Sequence, residues 1–179
     1  MKIDAIDLYL ARIPLRRPQK TAVGVLDRLE TVIAGMRSGG LVGWGEASPG
    51  TAPLGGQWAG GAFACLRDWL APALVGLQID TGTALQERLQ MFSGNQYAKA
   101  ALDSAWWDLK ARQAEKPLHE LLGGKKTSLE LGVSLDRTET IDELIDSMRK
   151  AFAAGFSRIE LKMRPGWDIQ MINHVRHEF

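Results

Sequence analysis

The sequence predicts an α+β domain, a three-stranded antiparallel sheet plus helices, followed by the start of a parallel α/β architecture. Three observations carry this. Apolar and polar residues alternate from Lys2 to Ile13 and two further strand-like runs end at Ala47; apolar residues recur at three and four residue intervals between Phe63 and Gly124; and from Lys126 onward strand-like and helix-like runs take turns.

From Lys2 to Ile13 the apolar residues Ile3, Ala5, Leu8, Leu10 and Ile13 keep period two with one slip, which predicts a strand. "RRPQKTAVG", Arg16 to Gly24, breaks that pattern and reads as a polar loop. In "RLETVIAGMRSGGLVGWGEA" two strand-like runs flank Ser38-Gly39-Gly40, the signature of a hairpin. "SPGTAPLGGQ", Ser48 to Gln57, holds too much Gly and Pro for regular structure. The segments "FACLRDWLAPALVG", "TALQERLQMFSG" and "YAKAALDSAWWDLKARQAEKPLHELLGG" then take helical spacing and each stops at Gly. Within the last of them Ala101, Leu102, Ala105, Trp106 and Leu109 form one inward stripe, the pattern of a helix facing a core.

After Lys125 the pattern changes. "SLELGVSL" predicts a strand, "TETIDELIDSMRKAFAAGF" an amphipathic helix with Thr138 as its N-cap, "SRIELKM" a second strand and "DIQMINHVRHEF" the opening of another helix. Strand, helix, strand, helix is the order of parallel βα units. Two units complete neither a closed barrel, which needs eight strands, nor an open sheet covered on both faces. Residues 126–179 therefore read as the beginning of a longer domain, and the expected division is 1–125 and 126–179.

Composition narrows the function. With 22 basic and 21 acidic side chains the net charge is +1, so no global field draws the chain to nucleic acid or an anionic membrane. The start "MKIDAIDLYLARIPL" lacks the continuous apolar run of a secretory signal, and nothing reaches transmembrane length. Cys65 is the single cysteine, which excludes an internal disulfide framework and fits a reducing cytoplasm. A small-molecule substrate is the expectation. His119, His174 and His177 have no ligand spacing with a second His, Asp or Glu and read as surface or cap residues.

One residue has two readings. In "FSRIELKMRPGWD" Lys162 ends a strand just before a Pro-Gly turn. A strand-end lysine commonly snorkels to solvent; a lysine at the carboxyl end of a parallel barrel strand instead points into the face where such folds keep their chemistry.

The order of elements, together with "VGWGEASP", "NQYAKAALDSAWWDLKARQAEKPLHELLGG", "GVSL" and "RIELKMRPGWD", resembles the enolase superfamily. The resemblance is to the muconate-cycloisomerase-like members and, through the "LKxxPGWD" pattern, to the o-succinylbenzoate synthase and N-succinylamino acid racemase branch. It implies an amino-terminal capping domain followed by a truncated (β/α)8-type (TIM-type) barrel. It also implies that Lys162, the second lysine position of a K-x-K motif, moves a proton on the carbon beside the substrate carboxylate. Ser134 matches a position facing the substrate, and Arg16–Gly24 matches a mobile capping loop, with Lys20 and Thr21 as substrate-binding residues and Arg16 and Arg17 as attractors of an anionic succinyl group.

The implied reaction is α-proton abstraction and dehydration on the menaquinone route; the alternatives within the branch are N-succinylamino acid racemisation and dipeptide epimerisation. A divalent metal, Mg²⁺, is implied as cofactor, held by acidic residues of later barrel strands beyond Phe179, so no metal ligand is expected in this chain and the chain alone is expected to be inactive. A homo-oligomer acting on a small carboxylate is implied. In one place the sequence departs from the pattern: Glu160 stands where the first lysine of K-x-K is usual, and it is expected, with Ser134, Lys20 and Thr21, among the substrate-binding residues. Residues two apart on a strand share a face, so Glu160 and Lys162 are expected to be neighbours, and a carboxylate there favours a charged ammonium. From a different class stands a non-catalytic α+β interaction domain, the reading that the length of 179 residues supports.

Overall fold

The computed structural model describes residues 1–21, 24–53 and 55–179, with only the backbone of Lys20 and Thr21. The described residues form two compact units, one of Met1–Pro14 with Arg28–Lys125, the other of Leu15–Asp27 with Lys126–Phe179. The second unit thus includes the segment Leu15–Asp27, which the expected division at residue 125 left with the first.

A three-stranded sheet of order β1-β2-β3 opens the chain: β1 is Ala5–Thr21, β2 Gly24–Ser38 and β3 Leu41–Ala47. The loop expected at Arg16–Gly24 is mostly strand. β1 runs on to Thr21 and β2 begins at Gly24, while Ala22 and Val23 lie outside the described residues. Pro18 lies within the expected loop, and proline normally interrupts a ladder, yet β1 runs through both Pro14 and Pro18. β1 is an edge strand, where a missing N–H can face away from the neighbour at no cost in pairing. The second hairpin matches its expectation. β2 and β3 pair antiparallel with Ser38 opposite Leu41, across Gly39 (φ 56°) and Gly40 (φ 83°), the two positive φ angles of a type I′ turn.

Helices cover this sheet. α1 is Ala59–Cys65 and continues as one π-helical turn, Leu66–Leu70; α2 is Gly82–Leu89, α3 Gln96–Gln113 and α4 Leu118–Leu121. The long helical segment expected up to Gly124 is split because Pro117 cannot continue α3. Ala101, Leu102, Ala105, Trp106 and Leu109 are all buried on α3, as the spacing predicts, against Val32, Ala34 and Met36 of β2 and Leu66, Leu70, Leu85 and Leu89 of the other helices. Each such leucine contributes about 1.5–3 kcal/mol by burial. Trp106 also donates from its indole Nε1 to the Ile79 carbonyl at 3.4 Å.

In the second unit β4, Gly132–Ser134, and β5, Arg158–Glu160, are parallel, with Val133 opposite Ile159 and Ser134 opposite Glu160. Both are shorter than the expected runs Ser128–Leu135 and Ser157–Met163, because each pairs on one side only and the ladder ends where its partner does. α5, Ile141–Ala153, follows β4, and α6, Asp168–Glu178, follows β5. The N-cap of α5 is Thr140 and not Thr138. Thr140 Oγ1 accepts from the Glu143 N–H at 3.2 Å, and Glu143 reaches back to the Thr140 N–H at 3.4 Å. That reciprocal box needs an acidic residue three positions on, which Thr138 lacks. The core of this unit is Leu144, Met148 and Met171, with Leu135, Ile159 and Leu161 packed against it. Among the described residues no helix is long and apolar enough to cross a membrane.

Candidate active site

Strand alternation builds the site. Leu135, Ile159 and Leu161 turn toward the apolar cluster of α5 and α6. With side chains alternating between faces, Ser134, Glu160 and Lys162 are left on the opposite face. Ser134 and Glu160 are register partners on adjacent parallel strands, and the Leu135 N–H donates to the Glu160 carbonyl at 3.0 Å, which fixes the pair at the carboxyl end of the ladder.

Lys162 lies two residues past the end of β5 and is exposed, so it does not end the strand as expected. It nevertheless keeps the parity of Glu160. Its Nζ is 3.6 Å from Glu160 Oε1, the neighbour relation expected from the i, i+2 spacing. The lysine side chain is 42% exposed and the glutamate 70%. Beyond it, Pro165-Gly166 makes a turn in which the Trp167 N–H donates to the Arg164 carbonyl at 3.2 Å and Gly166 takes φ 82°. The Asp168 carboxylate accepts from the Arg164 N–H, and the Arg164 guanidinium stacks 4.6 Å from the Trp167 ring centroid. These contacts anchor the chain just after Lys162 and give Asp168 a structural task.

The Ser134 hydroxyl is exposed and makes no hydrogen bond among the described residues. The side chains of Lys20 and Thr21 lie outside the described residues; their neighbour Gln19 donates from Nε2 to Asp136 Oδ1 at 3.2 Å. This contact joins Leu15–Asp27 to the segment leaving β4, and Asp136 has the same parity as Ser134. No signal in the sequence pointed to it. Arg16 and Arg17 are exposed, as are His119, His174 and His177. A cavity of about 710 Å³ in the second unit lies elsewhere, in the groove between α5 and α6, lined by Ile145, Arg149, His174 and His177.

Among the described residues no three His, Cys, Asp or Glu side chains are grouped to hold a metal ion. The two carboxylates at the carboxyl end of this face are engaged separately, Glu160 with Lys162 and Asp136 with Gln19. The described residues do not fit a metal site.

Residues 5–123 match the family model described as mandelate racemase / muconate lactonizing enzyme, N-terminal domain. The chain is 32% identical over 180 residues to an N-succinylamino acid racemase of Thermus thermophilus, covering 100% of this chain and 49% of that protein. It is 32% identical over 181 residues to an o-succinylbenzoate synthase of Geobacillus kaustophilus, covering 100% and 48%. Among solved structures it matches an enolase superfamily member from Listeria innocua (TM-score 0.93, 28% identity, 99% and 48% covered) and the L-Ala-D/L-Glu epimerase of Bacillus subtilis (TM-score 0.86, 29% identity, 99% and 50% covered). The chain spans about half the length of the curated relatives it matches. It therefore belongs to the mandelate racemase / muconate lactonizing enzyme family of the enolase superfamily, and corresponds to the amino-terminal portion of its synthase and racemase members.

Proposed function

We propose that the full-length protein containing this chain transfers the proton on the carbon adjacent to a substrate carboxylate, with Lys162 as the group that moves it. The observation that carries this reading is the placement of Lys162 and Glu160 together at the carboxyl end of a parallel strand pair, on the face turned away from the apolar cluster. In parallel barrels that end is where chemistry is done.

Lys162, once it has given up the proton of its ammonium form, takes the α-proton, and the electron pair left behind is delocalised into the substrate carboxylate as an enediolate. Two outcomes follow from this one step. If the substrate carries a hydroxyl on the neighbouring carbon, the pair forms a double bond as hydroxide departs, and the proton now on Lys162 converts that hydroxide to water; this is the o-succinylbenzoate synthase-like dehydration. If a proton returns from the other face, the α-centre is inverted, as in N-succinylamino acid racemisation or dipeptide epimerisation. Relatives named for each outcome match this chain at comparable identity. Ser134, opposite Glu160, is in register to hydrogen-bond the substrate beside the reacting carbon.

The test is exchange of the substrate α-hydrogen with deuterated solvent, followed by NMR on the full-length gene product with Mg²⁺ in the buffer. Lys162→Ala removes a positioned acid or base, so a loss of about a hundred- to ten-thousandfold is expected. Exchange unchanged in that variant, with matched circular dichroism, means that Lys162 is a solvent-exposed strand-end lysine and that the proton is moved by another group. Alone, the 179 residues are expected to give no turnover.

A further inference from the structure

We infer that Glu160 is a specificity-determining residue that selects substrates bearing an ammonium group over otherwise similar substrates bearing a carboxylate there. The inference rests on the proposed proton transfer for the identity of the substrate face, and adds the substrate class.

The argument starts from the charges at that end of the strands. Glu160 is 70% exposed, and among the described residues Lys162 is its one side-chain partner, at 3.6 Å. Charge-assisted hydrogen bonds between ammonium and carboxylate close to about 2.7–2.9 Å, so this pair is a loose one. A carboxylate offers about four lone-pair sites, and a single loose contact leaves most of them for a ligand. Asp136 adds a second negative charge on the same parity, and the group that meets it is the neutral amide of Gln19. Arg158 shares the face of Glu160 but belongs to the amino end: its Nε stands 2.9 Å from where a Cβ on Gly132 would be, and it forms no ion pair with Glu160. Among the described side chains that contacts or register place at the carboxyl end near Lys162 there are thus two carboxylates, Glu160 and Asp136, and one ammonium, Lys162.

A substrate anion brought against that end meets like charge, whereas an ammonium can take the free side of Glu160. Rejection by like charge is as effective a source of specificity as attraction. A single exposed carboxylate is screened by salt, so the selectivity belongs to low and moderate ionic strength. The class this selects is an amino-terminated acyl amino acid, as in a dipeptide or a β-aminoacyl amino acid.

β-Alanyl-L-phenylalanine and N-succinyl-L-phenylalanine provide the test. They share the α-carbon, its carboxylate and the acyl chain, and differ in ending on an ammonium or a carboxylate. Both are titrated by calorimetry into the full-length gene product, wild type, Glu160→Gln and Glu160→Lys, with Mg²⁺ present, and α-hydrogen exchange is read in parallel. Wild type is expected to favour the β-alanyl compound by about tenfold, Glu160→Gln to reduce that ratio about fivefold, and Glu160→Lys to favour the succinyl compound. A ratio that is the same in all three proteins, a wild-type preference for the succinyl compound, or binding of neither overturns the inference. The conservative Glu160→Gln comparison suffices if the lysine variant does not fold. Binding selectivity that follows residue 160 without any α-exchange upholds the inference and removes the proton-transfer reading; exchange of both compounds at a ratio indifferent to residue 160 does the reverse.

Discussion

Gly45 of β3 lies so close to α3 that a Cβ on it would stand 1.9 Å from the carbonyl oxygen of Ala101. Gly43, two residues earlier on the same face, has the same relation to Ala105, at 2.2 Å. The small residues of "VGWGEA" and of the Ala101/Ala105 stripe therefore serve one purpose, to let a strand meet a helix backbone to backbone. Trp44, between the glycines, turns the other way, and its N–H donates to Asp108 of α3 at 2.8 Å.

Gly45→Ala is accordingly expected to cost the first unit several kcal/mol. Overpacking a core typically costs about 1–3 kcal/mol when side chains can shift, and here the obstacle is helix backbone, which yields less. Urea unfolding followed by tryptophan fluorescence gives the measurement. A midpoint unchanged from wild type would mean that β3 and α3 separate at little cost.

The observed cap of α5 can be separated from the expected one by substitution. Thr140→Ala removes the hydroxyl half of the capping box and is expected to destabilise the second unit by about 1 kcal/mol. Thr138→Ala removes a hydroxyl that donates to the Thr140 carbonyl at 3.0 Å on an exposed segment, with an expected effect within about 0.5 kcal/mol. Equal losses in the two variants, by urea titration of the α5 amide signals in NMR, would contradict the assignment of Thr140 as the cap.

Much of this was legible because it is local. The strand-like runs of β2 and β3, the Gly39-Gly40 turn and the Ala101–Leu109 stripe each reflect contacts that one element imposes on its own spacing. Glu160 and Lys162 were expected to be neighbours for the same reason. The errors arose where a distant partner decides. β1 passes through two prolines because it lies at a sheet edge, and β4 and β5 stop where their single partner stops. The signal for Thr140 was present in the sequence as Thr-x-x-Glu, a pattern that Thr138 lacks. Gln19 and Asp136, 117 positions apart, left no mark on the sequence pattern at all.

Metal affinity separates the chain from the protein that contains it. Hard divalent cations need several oxygen ligands converging at about 2.0–2.6 Å, and no such group occurs among the described residues. Calorimetric titration of the 179-residue chain with Mg²⁺ is expected to show no single tight site, whereas the full-length gene product is expected to bind. One stoichiometric, tight site on the 179 residues would mean that oxygen ligands converge within this chain after all.

The hydrogen bond from Gln19 to Asp136 gives a last prediction, since it ties Leu15–Asp27 to the segment that leaves β4 beside the Ser134, Glu160 and Lys162 face. An exposed hydrogen bond of this kind contributes about 0.5–1.5 kcal/mol, more toward the upper end because its acceptor is charged. Asp136→Ala should therefore make local opening of β1 easier by about three- to tenfold, visible as faster amide exchange at Arg16, Arg17 and Gln19. The amides of Val32, Ala34 and Met36, buried in the first unit, serve as the control and are expected to keep their rates. Asp136→Asn retains an acceptor oxygen and should sit between wild type and alanine. Gln19→Ala should reproduce the alanine effect, and the double variant should add little to either single one, because both remove the same contact. Additive effects in that cycle would show that Gln19 and Asp136 act on the segment independently, and that the contact between them does not hold it.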